Sequence, residues 1–169
     1  MKFDVYFAIQ TAKGLRPGVT PEPMEWSDIK KLVICNQNWS KQIDDYRTTG
    51  DTNLKQSLPS INFVGRSVKN RANKYMIPTQ LFMIDIDHIE GDCKQVWDTL
   101  VMKVDWDWIK ENVALAHISP GGHGIHIFFK SQGLPSLIEN MDAVNNIFKF
   151  DEFGDYDKVC HDFARVSFC

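Results

Sequence analysis

The stretch Leu81–Glu90, LFMIDIDHIE, constrains the chain more than any other. Large apolar residues lead into two aspartates one residue apart, a composition that predicts a buried β-strand over 81–87. Residues two apart on a strand share a face, so Asp85 and Asp87 point one way while Ile84 and Ile86 anchor the other side in a core. A buried carboxylate without a partner is costly and two neighbouring ones repel, so this strand demands something cationic beside it. A divalent metal meets that demand. Hard oxygen donors suit Mg²⁺ or Mn²⁺, which use one or two carboxylates and fill the remaining positions with water and phosphate. The competing reading is that both aspartates only cap the strand and turn into HIEGD. Asp105 and Asp107 in DWDW have the same spacing, but they lie in a polar stretch that opens a helix and are assigned no catalytic role.

A chain of 169 residues with 43% hydrophobic content is long and apolar enough for one globular domain with a real core. Its 19 basic and 22 acidic side chains leave a net charge of -3, which excludes attraction to nucleic acid through overall charge. A local patch is available instead. GRSVKNRANKY carries Arg66, Lys69, Arg71 and Lys74 with no acid, and it is the candidate for phosphate contacts, although such runs are more often plain solvated surface. Cys35, Cys93, Cys160 and Cys169 are scattered, without a Cys-x-x-Cys pair, as in a reduced cytoplasmic protein lacking structural zinc. No apolar run approaches the roughly 20 residues of a membrane span.

Elsewhere the patterning predicts a strand over 3–9, a helix over about 26–43 capped by Ser27, and a polar loop or short helix before a strand in SINFVG. After the Asp-x-Asp strand come helices near 93–103 and 106–111, strands at 113–118 and 124–129, and a helix over 136–149 with Leu137, Met141, Val144 and Phe148 on one face. Interleaved strands and helices give an α/β or α+β class.

Two further stretches carry chemistry. In HISPGGHGIHIFF, Ser119 closes one strand, three glycines turn the chain, and His126 returns on the next strand beside Gly124. Small residues let successive N–H groups approach an anion, so Ser119, the glycines and His126 form a candidate phosphate cradle. A tight hairpin with an ordinary partly buried histidine explains the same residues. His123, inside the loop, is expected to be solvent-exposed. In DYDKVCHDFARVSFC, Asp155, Asp157 and Asp162 precede Arg165 on an apolar segment. A two-metal site uses a third carboxylate, and an arginine fork suits a triphosphate. A surface loop with a salt-bridged arginine is the plainer alternative.

The order of these stretches, apolar Asp-x-Asp strand, Ser-x-Gly-Gly-x-Gly-x-His into a strand, then Asp followed by Arg-x-Ser, resembles the three motifs of the archaeo-eukaryotic primase superfamily, the primase-polymerases. More narrowly it is similar to the VirE N-terminal domain, a primase-like module of mobile-element and phage replication proteins, and LPSINFVG at 58–65 is compatible with the segment upstream of its first motif. The resemblance covers roughly residues 55–169. It implies an α+β primase-polymerase fold with an RRM-like catalytic sheet, formed as a single catalytic domain over 1–169, with an N-terminal α/β unit to about residue 55 and the catalytic core from about 56. It implies template-directed nucleotidyl transfer in DNA replication or repair. Asp85, Asp87 and Asp157 would bind two Mg²⁺ or Mn²⁺ ions, with Asp162 competing for the third place. Ser119, Gly122, Gly124, His126 and Arg165 would hold a dNTP or NTP. The implied partners are a single-stranded DNA template and a helicase domain or protein.

The chain departs from the family pattern at His123, where a basic or small residue is usual, and in the spacing of the third motif. It also lacks the zinc-type cluster that some relatives carry between the first two motifs. The ending, four residues beyond Arg165, is what a short variant or a piece of a longer replication protein would show. Two other function classes use the same residues: a non-catalytic nucleic-acid-binding module of replication initiation, and a metal-dependent nuclease or phosphoesterase.

Overall fold

A computed structural model of the chain describes residues 2–6, 10–11, 14–15, 21–69, 73–157, 163 and 165–168. In chain order these form β1 (Lys2–Tyr6), β2 (Gln10–Thr11), β3 (Gly14–Leu15), β4 (Glu22–Glu25), α1 (Trp26–Ile29), a π-helical turn (Lys30–Ile34), α2 (Gln37–Thr49), α3 (Thr52–Gln56), β5 (Ser60–Asn62), β6 (Gly65–Ser67) and β7 (Met76–Pro78). The second half supplies β8 (Leu81–Asp87), α4 (Cys93–Val101), α5 (Trp106–Asn112), β9 (Val113–Ile118), β10 (Ile125–Lys130), α6 (Leu137–Phe148), β11 (Asp155–Tyr156) and β12 (Ser167–Phe168). The class is mixed α+β with antiparallel sheets. Among the described residues no helix is long and apolar enough to cross a membrane.

The chain divides into two compact units, one of residues 1–79 with 162–169, the other of 80–161. The division expected near residue 55 therefore falls at 79/80, because β5, β6 and β7 belong with the amino-terminal strands. In the first unit the sheet order is β12-β5-β1-β4, all antiparallel, over a core that includes Val5, Tyr6, Ile29, Leu58, Ile61 and Phe63. The single helix expected over 26–43 is broken. Cys35 N–H bonds five residues back to Lys30 O, and Asn36 starts a new helix by accepting from Asn38 N–H, which matches the strong preference of asparagine for caps. Ser27 is not a cap: it lies inside α1, whose N-cap position is Glu25. The polar stretch after it is helical too, as the end of α2 and then α3, which Asp51 caps. Residues 7–9 of the predicted first strand lie outside the described residues.

The second unit is a βαββαβ unit in which β8, β9, β10 and β11 pair in the order β11-β8-β10-β9, every neighbour antiparallel. Numbered within the unit this is 4-1-3-2, the order of the split βαβ topology. Its core is one face of the sheet, Ile84, Ile86, Ile125, Ile127 and Phe129, packed with Leu100, Ile109, Met141, Val144 and Phe148 from the helices. Helix boundaries follow local chemistry. Asp92 caps α4 and Asp105 caps α5, while Ser136 and Glu139 close a reciprocal capping box on α6. Asp105 is thus spent on helix start, as its setting predicts.

β11 is two residues long and joins the sheet through a close approach at Gly154. A Cβ there would collide with the Asp87 carbonyl oxygen and crowd Ile86 Cγ2 at 3.1 Å. Gly154→Ala is expected to destabilise the protein by about 1–3 kcal/mol through overpacking against fixed backbone, measured as a lower urea midpoint at unchanged m-value.

Candidate functional site

The face of the second sheet opposite the core carries the polar residues, and strand register decides which of them meet. On β8, alternation turns Asp85 and Asp87 away from the buried Ile84 and Ile86. In β10 His126 lies directly opposite Asp85, and in β9 His117 lies directly opposite His126. Directly opposed residues in antiparallel strands project to the same face. At the other edge Asp155 is opposite Asp87, and the Asp157 N–H donates to Asp85 O at 3.0 Å, continuing the pairing by one step. One row across the sheet is therefore Asp157, Asp85, His126, His117. The next row is Asp155, Asp87, Gly124, Ser119.

The first row answers what partners a carboxylate at the end of an apolar strand. Asp85 is 5% exposed, and its Oδ1 lies 3.3 Å from Nε2 of His126, itself 9% exposed. The ring of His117 stands edge-on to His126 with centroids 4.9 Å apart and stacks on Phe128 at 6.0 Å. Its Nδ1 lies 3.1 Å from the Ile118 carbonyl oxygen, which fixes the hydrogen on that nitrogen. Burial first, and then the neighbouring His126, lower the His117 pKa to about 4; the Ile118 carbonyl and Asp85 pull weakly the other way. His117 is therefore a neutral imidazole at physiological pH, and Nε2 is its acceptor.

The second row is governed by Gly124. A Cβ at this position would sit 2.8 Å from Asp87 Oδ1, 2.9 Å from Ile86 O and 3.1 Å from Ser119 Oγ. Only glycine lets the exposed Asp87 carboxylate and the Ser119 hydroxyl approach the same point. The loop is a tight hairpin: Ser119 N–H donates to Gly124 O at 2.8 Å and Gly122 N–H to Ser119 O at 2.9 Å, with Gly122 at φ +82°. Those two amides close the turn, so Gly122 contributes its backbone angle rather than a donor to an anion. His123 is exposed as expected, and its carbonyl accepts from Ile89 N–H at 2.9 Å. From beneath, the buried Cys93 thiol donates to Gly122 O at 3.2 Å and reaches Gly124 O at 3.8 Å. A cavity of ≈ 230 Å³ opens between α4 and β9, with walls that are mainly apolar (Cys93, Trp97, Ala116, Ile118 and Ile125) and two polar residues, Lys94 and His117.

The predicted site residues thus separate. Asp85, Asp87, Ser119, Gly122, Gly124, His126 and Asp157 belong to the second unit, and all but Gly122, in the turn, fall in the two rows. Arg165 is half-buried in the first unit, as a member of the segment that ends in β12. Arg66, Lys69 and Lys74 are exposed residues of the first unit, while Arg71 and the competing Asp162 lie outside the described residues. Of the cysteines, Cys35 is an exposed free thiol, Cys93 a buried one, and Cys160 and Cys169 are outside the described residues. Among the described residues no three His, Cys, Asp or Glu side chains gather around one point as a metal would require.

One residue of the rows, His117, is not singled out from the sequence; it precedes Ser119, the residue just beyond β9, by two, and that alternation is the signal that marks it as facing the site. Asp155 binds Nδ1 of His88 at 3.0 Å, both side chains being exposed, where His88 turns the chain at φ +51°.

A mixed α+β protein whose antiparallel split-βαβ sheet bears two rows of carboxylate, imidazole, glycine and hydroxyl groups is the class that fold and site define. Residues 53–150 match the family model described as BT4734-like, N-terminal domain, which is more than half of the chain, and the protein belongs to that family. The match includes β8, the glycine hairpin and His126, and stops before β11 and Arg165. No curated protein and no solved structure matches the chain.

Two outcomes follow from the first row. His126→Ala leaves a buried carboxylate without its imidazole and is expected to destabilise the fold by about 3–5 kcal/mol, and His126→Gln, which keeps a donor, should lose clearly less in chemical denaturation. His117 should titrate near pH 4 by NMR of its ring protons. Its folded-state pKa is below the unfolded value, so its contribution to stability is complete above about pH 6.5 and is lost as pH falls towards 4.

Proposed function

We propose that the second unit is a nucleotidyl-transfer centre of primase-polymerase type, working on a single-stranded DNA template with a dNTP or NTP. The observation that carries this reading is the register that sets Asp157, Asp85 and His126 in one row beside Asp87, Gly124 and Ser119 in the next. The motif order of the primase superfamily, Asp-x-Asp strand, glycine hairpin with its histidine, then a late carboxylate, becomes a spatial order on one sheet face. The sheet order β11-β8-β10-β9 supports the RRM-like sheet that the resemblance implies.

The donor types suit a hard divalent cation, since Asp85 and Asp87 share a face and Asp157 pairs with β8 at the level of Asp85, although among the described residues no three of them gather around one point. Mg²⁺ or Mn²⁺, when bound, supplies neutralisation of charge at the reacting phosphate. The chain's own groups position. Asp85 and Asp87 would hold the cation, with Asp157 as third carboxylate. His126, whose Nε2 lies 3.3 Å from Asp85 Oδ1, would contribute an imidazole N–H to a phosphate oxygen. Gly124 keeps the space above Asp87 and Ser119 open for the nucleotide's phosphates. No side chain is assigned as general base, because positioning and charge compensation account for most of such a transfer. A helicase domain or protein is the expected partner in a cytoplasmic replication setting.

A non-catalytic nucleic-acid-binding role is the second reading. The Asp85–His126 pair favours it, because an imidazole 3.3 Å away stabilises the buried carboxylate without a metal. One experiment separates the two. The chain is incubated with a primed single-stranded template, dNTPs or NTPs, and Mn²⁺. Extension that falls by about 10²-fold or more in Asp85→Asn/Asp87→Asn supports catalysis. Template binding without any extension, unaltered by that double variant, establishes the binding module, and cleavage of the template establishes the nuclease.

A further inference from the structure

In the first unit, the described residues 65–69 and 73–78 include a β-ribbon that the sequence does not announce as one. β6 and β7 pair antiparallel, with Gly65 opposite Pro78, Arg66 opposite Ile77 and Ser67 opposite Met76. Its root is fixed. Asn62 Oδ1 accepts from the N–H groups of Val64 at 3.0 Å and Gly65 at 2.8 Å, Thr79 N–H donates to Val64 O at 3.1 Å, and the buried Asp4 carboxylate accepts from Ser67 N–H. Gly65 is close-packed there, since a Cβ would collide with Phe163 O.

Beyond the root, Val68 N–H donates to Tyr75 O at 3.0 Å, and Tyr75 becomes the centre of the arm. Lys69 Nζ lies 5.4 Å from the ring centroid and Lys74 Nζ 4.9 Å from it. A single aromatic ring thus holds two ammonium groups in one neighbourhood, an arrangement that cation–π attraction supports and like-charge repulsion opposes. An anion close to both lysines would relieve that opposition. Neither lysine is in an ion pair among the described residues. Arg66 differs, because its charge already acts on Asp4. No acidic residue occurs from Gly65 to Gln80, although the whole chain is net negative. Beside the cations, Val68 is 63% and Ile77 54% exposed. Phosphates alone do not reward exposed apolar side chains, whereas a single strand also offers unstacked base faces and sugars.

We propose that this ribbon is a grip for a single nucleic-acid strand, in which Tyr75 holds Lys69 and Lys74 as a paired phosphate clamp and Val68 and Ile77 meet the sugars and bases. It deepens the template-binding part of the proposed function and rests on that reading only for the identity of the ligand as nucleic acid. The arm needs no metal.

The test is fluorescence anisotropy of a labelled oligothymidylate with the full chain in EDTA over a series of salt concentrations. Wild type is expected to lose affinity linearly in log salt. Lys69→Ala/Lys74→Ala should weaken binding about 10-fold or more and flatten the slope by about 1.4, from roughly 0.7 per phosphate contact on a single strand. Tyr75→Leu leaves the net charge unchanged but should weaken binding several-fold, and Tyr75→Phe, which keeps the ring, should bind as wild type. Melting curves of each variant establish that it is folded, and the exposed lysine pair carries the test should Tyr75→Leu unfold. Equal binding by Tyr75→Leu and wild type would remove the organising role. Duplex bound as tightly as single strand, preference for anionic lipid vesicles, or no salt-dependent binding would each overturn the clamp. If extension fails while these binding differences appear, the polymerase reading falls and the clamp stands.

Discussion

The second unit depends on one pairing, Asp85 with His126 across β8 and β10. A carboxylate on a strand whose other face is the core cannot be hydrated freely, so its neighbours on the sheet decide its surroundings. The imidazole of His126 stands beside it on the adjacent strand, Nε2 3.3 Å from Oδ1, with both groups nearly out of solvent. The pairing also specifies register. Sliding β10 by one residue would set Ile125 or Ile127 against Asp85 and turn the histidine towards the packed helices, exchanging every residue of the two rows with the core.

Around this pair, space is controlled by glycines rather than by large side chains. Gly124 and Gly154 lie at opposite sides of the end of β8, and each lacks a Cβ because a backbone oxygen of β8 occupies the place, Ile86 O at 2.9 Å for the first and Asp87 O for the second. The end of β8 is therefore gripped closely on both sides, which is how two short elements, the hairpin at 119–124 and the two-residue β11, are brought against Asp85 and Asp87 with little freedom to drift. The Cys93 thiol, bonded to the carbonyls of Gly122 and Gly124, holds the hairpin from the helix side. The groups on the open face inherit their placement from these contacts.

What the sequence discloses of this arrangement follows the length over which a pattern persists. β8, β9, α5 and α6 are readable because alternation or helical spacing runs for six residues or more and a cap such as Asp105 or Ser136 ends it. β11 is two residues long and announces nothing; only the tertiary contact at Gly154 makes it a strand, and without it the third carboxylate has no address among Asp155, Asp157 and Asp162. The break at Cys35 and Asn36 is hidden because the apolar spacing continues across it while the cap chemistry of Asn36 overrides it. The β6–β7 ribbon reads as a charge run because its strands are only three residues each, Gly-Arg-Ser and Met-Ile-Pro, too short for alternation to show. Candidate residues that lie within one strand or one hairpin, Asp85, Asp87, Ser119, Gly124 and His126, are legible; His117 needs a cross-strand pairing to be seen, and Arg165 needs the fold of the first unit.

The two aspartates of the opening motif are chemically unequal despite their symmetry in sequence. Asp85 is buried, with Nε2 of the His126 imidazole 3.3 Å from its Oδ1. Asp87, one step nearer the strand end, is exposed and stands over the Gly124 gap beside Ser119 Oγ. The two carboxylates of one strand face therefore differ in what surrounds them: water remains at Asp87, whereas at Asp85 the neighbouring imidazole takes the place of solvent, with the neutral His117 behind it adding no positive charge.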